Sequence, residues 1–410
     1  MQTALTESFL QSEAGKIADQ ILRNCVHCGF CNATCPTYQL TGDELDGPRG
    51  RIYLIKQVLE GHAPSARTQL HLDRCLTCRA CETTCPSGVV YHQLLETGRE
   101  ALETRVPRPR LQRLLRWLLR SVLTRQRLFV PLLRLGQWTG PLLPKKLRQK
   151  IPRSHPAKPF TPGIRHPRTM LLLDGCVQPA LAPQINAATR RVLDRLGINT
   201  VIAANSGCCG ALSHHLEAAG EAREFMRRNI DAWWPAIEAG AEAIVVTTSG
   251  CAPVVKDYGR LLAEDSGYAA KARRVSELVR DISEILSSEK PFDRLQLSRG
   301  KQKIAFHSPC TLQHAQQLVG VVESLLVQAG YELLPVADSH LCCGSAGTYT
   351  ILQPQLAAQL RDNKLTTLQE HAPAMIATAN IGCLTHMESH ARVPVRHWIE
   401  LIETLLPETH

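Results

Sequence analysis

Sixteen cysteines lie in this 410-residue chain in two repeat systems of different period, and any fold proposed for it has to place them. The first eight form CVHCGFCNATCP at 25–36 and CLTCRACETTCP at 75–86, each reading C-x2-C-x2-C-x3-C-P. Cys25, Cys28, Cys31 and Cys35 therefore recur 50 residues later as Cys75, Cys78, Cys81 and Cys85, the mark of a duplicated unit. The last eight keep a longer period. Cys176, Cys208 and Cys209 are matched 134 residues on by Cys310, Cys342 and Cys343, and Cys251 is matched 132 on by Cys383. Their surroundings correspond too: TMLLLDGC with KIAFHSPC, SGCCGAL with LCCGSAG, AIVVTTSGC with MIATANIGC.

Thiols at this density are ligands, disulfides or redox groups. The N-terminal MQTALTESFLQSEAGKIADQ lacks the apolar core and small-residue cleavage site of a secretory signal. A cytoplasmic, reducing compartment is therefore expected, without disulfide staples. Length and an apolar share of 44% suit two or three globular domains. No apolar run reaches the length of a bilayer-spanning helix, so the chain is expected to be soluble or peripheral to a membrane.

The second cysteine system sits in an α/β pattern. Short β-branched runs such as Ala243 to Thr248 end at or just before a cysteine, and helical patterns such as NAATRRVLDRLGI and VGVVESLLVQAGY lie between them. Strands alternating with helices imply parallel sheets, whose ligands collect beyond the carboxyl ends of the strands. That would gather Cys176, Cys208, Cys209 and Cys251 at one rim and Cys310, Cys342, Cys343 and Cys383 at another.

Between the two systems, residues 105–150 hold 13 arginines and lysines and no acidic residue. Against a net charge of +10, the basic character is local to this stretch. LQRLLRWLLRSV sets Leu111, Leu114, Leu115, Leu118, Leu119 and Val122 along one helical face, with Arg113, Arg116 and Arg120 off that stripe. Such a helix either lies in the headgroup layer of an anionic membrane or packs on its own protein with a solvated charged face. A nucleic-acid role is not expected, since no recognition motif is present and aromatics make up 5% of the chain.

Zinc sites take paired C-x2-C knuckles or Cys-His mixtures, whereas a C-x2-C-x2-C-x3-C-P run resembles the bacterial two-cluster ferredoxins. In that family the fourth cysteine of each run crosses to the other cluster. The resemblance implies that Cys25, Cys28, Cys31 and Cys85 bind one [4Fe-4S] centre and that Cys75, Cys78, Cys81 and Cys35 bind the second. Pro36 and Pro86 suit the points where the chain turns away from a cluster.

SGCCG and LCCG, each preceded by a strand-end cysteine and followed by SGC or IGC, resemble the cysteine-rich CCG domains of heterodisulfide reductase subunits. CVHCGFCNATCPTYQLTGDELDGPRGRIYLIKQVLEG, NIDAWWPAIEAGAEAI, CTLQHAQ and HLCCGSAGTYT are most similar to the iron-sulfur subunits of bacterial glycolate oxidase, over nearly the whole chain. The fold implied is multidomain. A mainly α-helical ferredoxin-like domain (1–104) carries two [4Fe-4S] clusters, a basic amphipathic linker follows (105–168), and two α/β CCG repeats with parallel sheets complete it (169–300 and 301–410). The function implied is electron transfer from FAD-containing partner subunits that oxidise glycolate to glyoxylate towards a membrane quinone, on the cytoplasmic face of the inner membrane. No catalytic acid, base or nucleophile is assigned in this chain.

CCG domains with a noncubane cluster end in C-x2-C, but here Thr248 and Asn380 occupy the slots of that extra thiolate. Four thiols per repeat remain as candidate metal ligands, and adjacent thiols are suited to reaching two irons from one turn. His307, His340 and His386 lie near those of the second repeat, and His340, directly before the pair, is the one singled out. DGPRGR (46–51) reads either as a positive loop near the clusters or as a solvated turn before a helix. The rival readings are an electron-transfer subunit of a lactate or glycerol 3-phosphate dehydrogenase, a heterodisulfide-reductase-like thiol/disulfide catalyst, and a non-redox metal scaffold.

Overall fold

The computed structural model describes all residues except 143, 145–150, 153–156, 158–159, 161–165, 296, 299, 301 and 408–410. The lysine-rich end of the basic stretch therefore lies outside the described residues.

The N-terminal module is helical. Ser12 accepts from Gly15 N–H and caps the helix Glu13–Asn24, and Pro48 opens Pro48–Leu59 at a position where its missing N–H costs nothing. Leu22, Ile55, Leu59, Leu72, Leu94, Leu95 and Leu102 are fully buried between these helices, Ala66–Asp73 and Tyr91–Arg105. Gly98 sets how closely Tyr91–Arg105 approaches Pro48–Leu59, because a Cβ there would stand 2.6 Å from Ile55 Cγ1.

Each C-terminal repeat is a four-stranded parallel sheet. The first comprises β1 (Arg168–Leu172), β2 (Ile198–Val201), β3 (Ile244–Val246) and β4 (Val279–Asp281) in the order β2-β1-β3-β4. The second repeats it with β5 (Lys303–His307), β6 (Glu332–Leu333), β7 (Met375–Thr378) and β8 (Val395–His397) in the order β6-β5-β7-β8. Crossovers between parallel strands carry helices such as Pro183–Arg195 and Val321–Gln328, each followed by a glycine with positive φ, Gly197 at +78° and Gly330 at +93°. The strand predicted over 243–248 is realised as a shorter β3, since Thr247 and Thr248 already turn away towards Gln178.

The repeats are not independent bodies. One apolar core runs from Leu172, Ile185 and Val192 to Ile304, Ile376 and Trp398, with Pro183–Arg195 packed on Trp398–Glu403. Arg191 Nε pairs with Glu403 at 2.7 Å beside it.

The basic stretch forms two helices, Arg110–Leu123 and Gln126–Thr139, and the first is turned opposite to a surface helix with a solvated charged face. Arg116 is buried, pairing with Glu217 at 2.8 Å and Asp73 at 3.1 Å, and Arg108 pairs with Asp73 at 2.6 Å. Arg120 and Arg125 both reach Glu221, at 3.2 and 3.3 Å. Arginines thus bolt the linker to the ferredoxin module and the first repeat, while Leu111, Leu114, Trp117, Leu118, Leu128, Leu132, Leu135 and Trp138 face solvent. No helix among the described residues is long and apolar enough to cross a membrane.

Candidate metal centres

The two cysteine runs of the N-terminal module are short loops ahead of one-turn helices. Their shape comes from left-handed residues between the cysteines: His27 and Gly29 at φ +59° and +89°, Thr77 and Arg79 at +51° and +62°. This alternation turns backbone N–H groups inwards, the nest geometry that receives anionic sulfur. Thr77 N–H donates to Cys75 Sγ at 3.5 Å, and His27 and Ala80 N–H groups donate to the thiols of Cys25 and Cys78.

Two cavities lie between the loops. One is lined by Cys25, Cys28, Cys31 and Cys85 with Ile52, Val89 and Cys81. The other is lined by Cys35, Cys75, Cys78 and Cys81 with Leu76 and Leu95. The last cysteine of each run therefore lines the cavity of the other run, and Cys81 is the one cysteine lining both. Burial pushes the Cys31 thiol up to about 11 and holds Cys78 and Cys81 well above their ordinary range, so these sulfurs ionise only beside a strong positive charge. Thiols converging on apolar cavities with N–H donors aimed at sulfur fit iron-sulfur clusters.

The first cavity opens towards solvent, with Val26 and Phe30 67% and 63% exposed at its lip. The second is lined throughout by buried or half-buried residues. Its wall holds Arg51, which is 1% exposed and directs Nη1 at Cys35 Sγ at 4.0 Å. Behind it the fully buried Asp46 pairs with His71 at 2.8 Å, Arg74 at 2.7 Å and Arg51 at 3.8 Å. Residues 46–51 are thus positive beside the cavities and no solvated turn, Arg49 lining the first and Arg51 the second. Asp46 ends a 3-10 turn, Pro48 begins a helix, and both charges at the ends of the hexapeptide point inwards.

All eight cysteines of the second system lie beyond the carboxyl ends of parallel strands, around the point where the order reverses between β1 and β3 or β5 and β7. In the first repeat Cys176 and Cys209 touch Cys208, and Cys209 touches Cys251. Cys208 accepts from those thiols and from Gly210 N–H at 3.5 Å, which holds it below its ordinary value. In the second repeat Cys310 Sγ stands 3.7 Å from Cys342 Sγ and Cys343 Sγ 3.1 Å from Cys383 Sγ. This quartet abuts the second cavity: Cys78 and Cys342 share one buried cluster with Leu76, Ala80 and Tyr349. Tyr349 Oη donates to Arg74 O at 3.0 Å, and His314 bridges Thr83 Oγ1 at 3.0 Å and His340 O at 2.9 Å.

Of the three histidines, it is His307 that stands with thiols, those of Cys343 and Cys383. His340 contributes its carbonyl to His314, and His386 bonds Ala357 O at 3.1 Å. At the slots of the extra thiolates, Thr248 bonds Gln178, while Asn380 reaches Thr311 Oγ1 at 3.3 Å and, across the inter-repeat contact, Ser249 Oγ at 3.2 Å.

Residues 21–89 match the family model of the 4Fe-4S dicluster domain, and 170–256 and 304–388 match that of a cysteine-rich domain. The glycolate oxidase iron-sulfur subunit of Escherichia coli K12 is 58% identical over 407 residues, 99% of each chain. The probable glycolate oxidase iron-sulfur subunit of Bacillus subtilis 168 is 31% identical over 90% of this chain and 88% of its own. Lactate utilization protein A of Bacillus licheniformis is 25% identical over 52% of this chain and 87% of its own. Among solved structures, a hypothetical protein from Helicobacter pylori superposes with a TM-score of 0.57 over 98% of this chain and 76% of its own at 10% identity, a likeness of fold alone.

Proposed function

The chain belongs to the family of glycolate oxidase iron-sulfur subunits, and from that premise we propose that it carries electrons from FAD-containing partner subunits, which oxidise glycolate to glyoxylate, towards a membrane quinone. In this reading Cys25, Cys28, Cys31 and Cys85 hold the first [4Fe-4S] cluster. Cys75, Cys78, Cys81 and Cys35 hold the second. The observation that carries the assignment is the exchange of fourth cysteines between the two cavities. It ties the clusters into one body and brings them close enough to pass electrons. The quartets Cys176, Cys208, Cys209, Cys251 and Cys310, Cys342, Cys343, Cys383 are metal-ligand sets of the cysteine-rich repeats.

The exposed lip of the first cavity suits the flavin-bearing partner, and the second cluster, among buried and half-buried residues, is the inner station. The outward apolar faces of the two linker helices, interspersed with exposed Arg110, Arg113, Arg127 and Arg134, suit the surface of an anionic membrane on the cytoplasmic side. Substrate oxidation belongs to the partners.

The test is iron and acid-labile sulfide in the anaerobically purified complex, with electron paramagnetic resonance after reduction by glycolate. About eight irons per chain are expected from two [4Fe-4S] clusters. Cys85→Ser should alter the same signal as Cys28→Ser, and Cys35→Ser the same signal as Cys78→Ser. Cys85→Ser acting on the Cys78 signal, or clusters that glycolate leaves oxidised, would sink the reading.

A further inference from the structure

We infer that the second cysteine-rich repeat holds a single tetrahedral ion of the zinc class, ligated by His307, Cys343 and Cys383, with Cys342 as the fourth donor. The inference rests on reading the quartets as metal ligands and says what kind of metal one of them takes.

The donor atoms converge on one point. A ring nitrogen of His307 and the sulfurs of Cys343 and Cys383 all lie within 4.8 Å of one another, and all three residues are buried. Around a tetrahedral ion with metal–sulfur bonds of about 2.3 Å, ligand sulfurs stand roughly 3.8 Å apart. A cubane instead gives each thiolate its own iron and spreads the sulfurs wider. Cys342 touches Cys343 but stands outside this convergent group, so the Cys3His set is completed by a shift of that thiol on binding.

His307 supplies the independent observation. It closes β5, is 2% exposed, and neither ring nitrogen has a hydrogen-bond partner. A buried imidazole without partners has lost its hydration at both nitrogens, and a metal bond compensates that loss at one of them. The first repeat offers a built-in contrast. The position 134 residues earlier is Leu173, which packs in an apolar cluster with Cys209 and Cys251, so no nitrogen enters that quartet. Charge agrees. Three thiolates on a divalent ion leave one negative charge, and the buried Lys364, whose Nζ donates to Asp338 O at 2.6 Å, lies close enough for Cys342 and Cys343 to act on it. Nitrogen-sulfur donors in tetrahedral array select zinc over magnesium or calcium.

The decisive experiment is zinc and iron analysis with zinc-edge X-ray absorption on the anaerobically purified complex, for the natural chain, His307→Leu and His307→Cys. About one zinc per chain is expected, with three sulfurs and one nitrogen as nearest neighbours, beside an iron content unchanged between variants. His307→Leu should lose most of the zinc. His307→Cys should retain it with the nitrogen gone, which keeps the test decisive where the leucine variant fails to fold. Zinc below about a tenth per chain in the natural protein, a third cubane's iron, or a nitrogen neighbour surviving in His307→Cys would overturn the inference. Loss of the glycolate-reducible signals with zinc intact would instead count against the electron-transfer reading.

Discussion

Arg51 shows how much one buried charge does here. It is enclosed against Cys35, held by bonds to His71 O at 2.8 Å and Thr37 Oγ1 at 3.1 Å, and shares Asp46 with His71 and Arg74. A fixed cation next to a cluster ligand favours the reduced, more negative cluster. Arg51→Met should therefore lower the potential of the cluster on Cys35 by on the order of tens of mV, and Arg51→Lys by less, as read in a redox titration followed by electron paramagnetic resonance. Equal potentials in all three proteins would exclude the electrostatic role. Removing Arg51 also leaves Asp46 with fewer partners at full burial, so loss of stability of about 3 kcal/mol accompanies the shift. At the lip of the other cavity, Phe30→Asp with Val26→Asp should weaken co-purification of the partner subunits while leaving the cluster signals intact.

The linker helices are held by their arginines and present their leucines. Salt bridges from Arg108, Arg116 and Arg120 to Asp73, Glu217 and Glu221 orient Arg110–Leu123, and the stripe left facing outwards is Leu111, Leu114, Trp117 and Leu118. Replacing Leu111, Trp117, Leu118 and Trp138 by serine removes several kcal/mol of apolar transfer, so binding to anionic vesicles should fall by about tenfold or more. Cosedimentation measures this, and unchanged binding would move the membrane contact elsewhere. Periodicity makes the stripe legible in the sequence. Which side packs on the protein is not, because that depends on acidic partners 96 to 101 residues away in Glu217 and Glu221.

The modules are pinned to one another through polar contacts over shared apolar cores. His214 meets Glu96 at 3.0 Å and Arg260 meets it at 2.9 Å, joining the first repeat to the ferredoxin module. Hydrogen bonding to His214 and the Arg260 charge hold the Glu96 carboxyl well below its ordinary range despite burial. Between the repeats, His397 Nε2 donates to Thr247 O at 3.0 Å while its Nδ1 accepts from Ile399 N–H at 3.4 Å, which requires a neutral ring. Burial lowers its pKa from 6.5 to about 4, against the opposing effect of its bonds to backbone carbonyls. A base with a depressed folded-state pKa contributes stability that is complete above about pH 6.5 and is lost as pH falls towards 4. From this group alone the loss at pH 5 is about 2 kcal/mol. Denaturant midpoints at pH 7 and pH 5 should diverge less in His397→Asn than in the natural chain, and identical divergence would remove His397 from the account.

The sequence by itself determined the cysteine systems, their repeats and the α/β pattern of the C-terminal half, because spacing and periodicity are local and survive in one dimension, whereas the helical N-terminal module and the exchange of fourth cysteines were what the resemblance implied. The sequence also placed every cysteine of the repeats at strand ends. Only the tertiary structure decided that the second quartet abuts the second cavity through Cys78 and Cys342, that Arg51 and Asp46 are buried, and that Asn380 serves the contact between repeats while Thr248 bonds Gln178 within the first. It also decided that His307, not His340, meets the thiols. Adjacency in sequence favours His340, but strand direction aims side chains: His307 ends β5 beside the carboxyl end of β7, whereas the turn at His340 offers its carbonyl to His314. Burial and long-range approach are properties of packing, and no local pattern encodes which distant residue will be there.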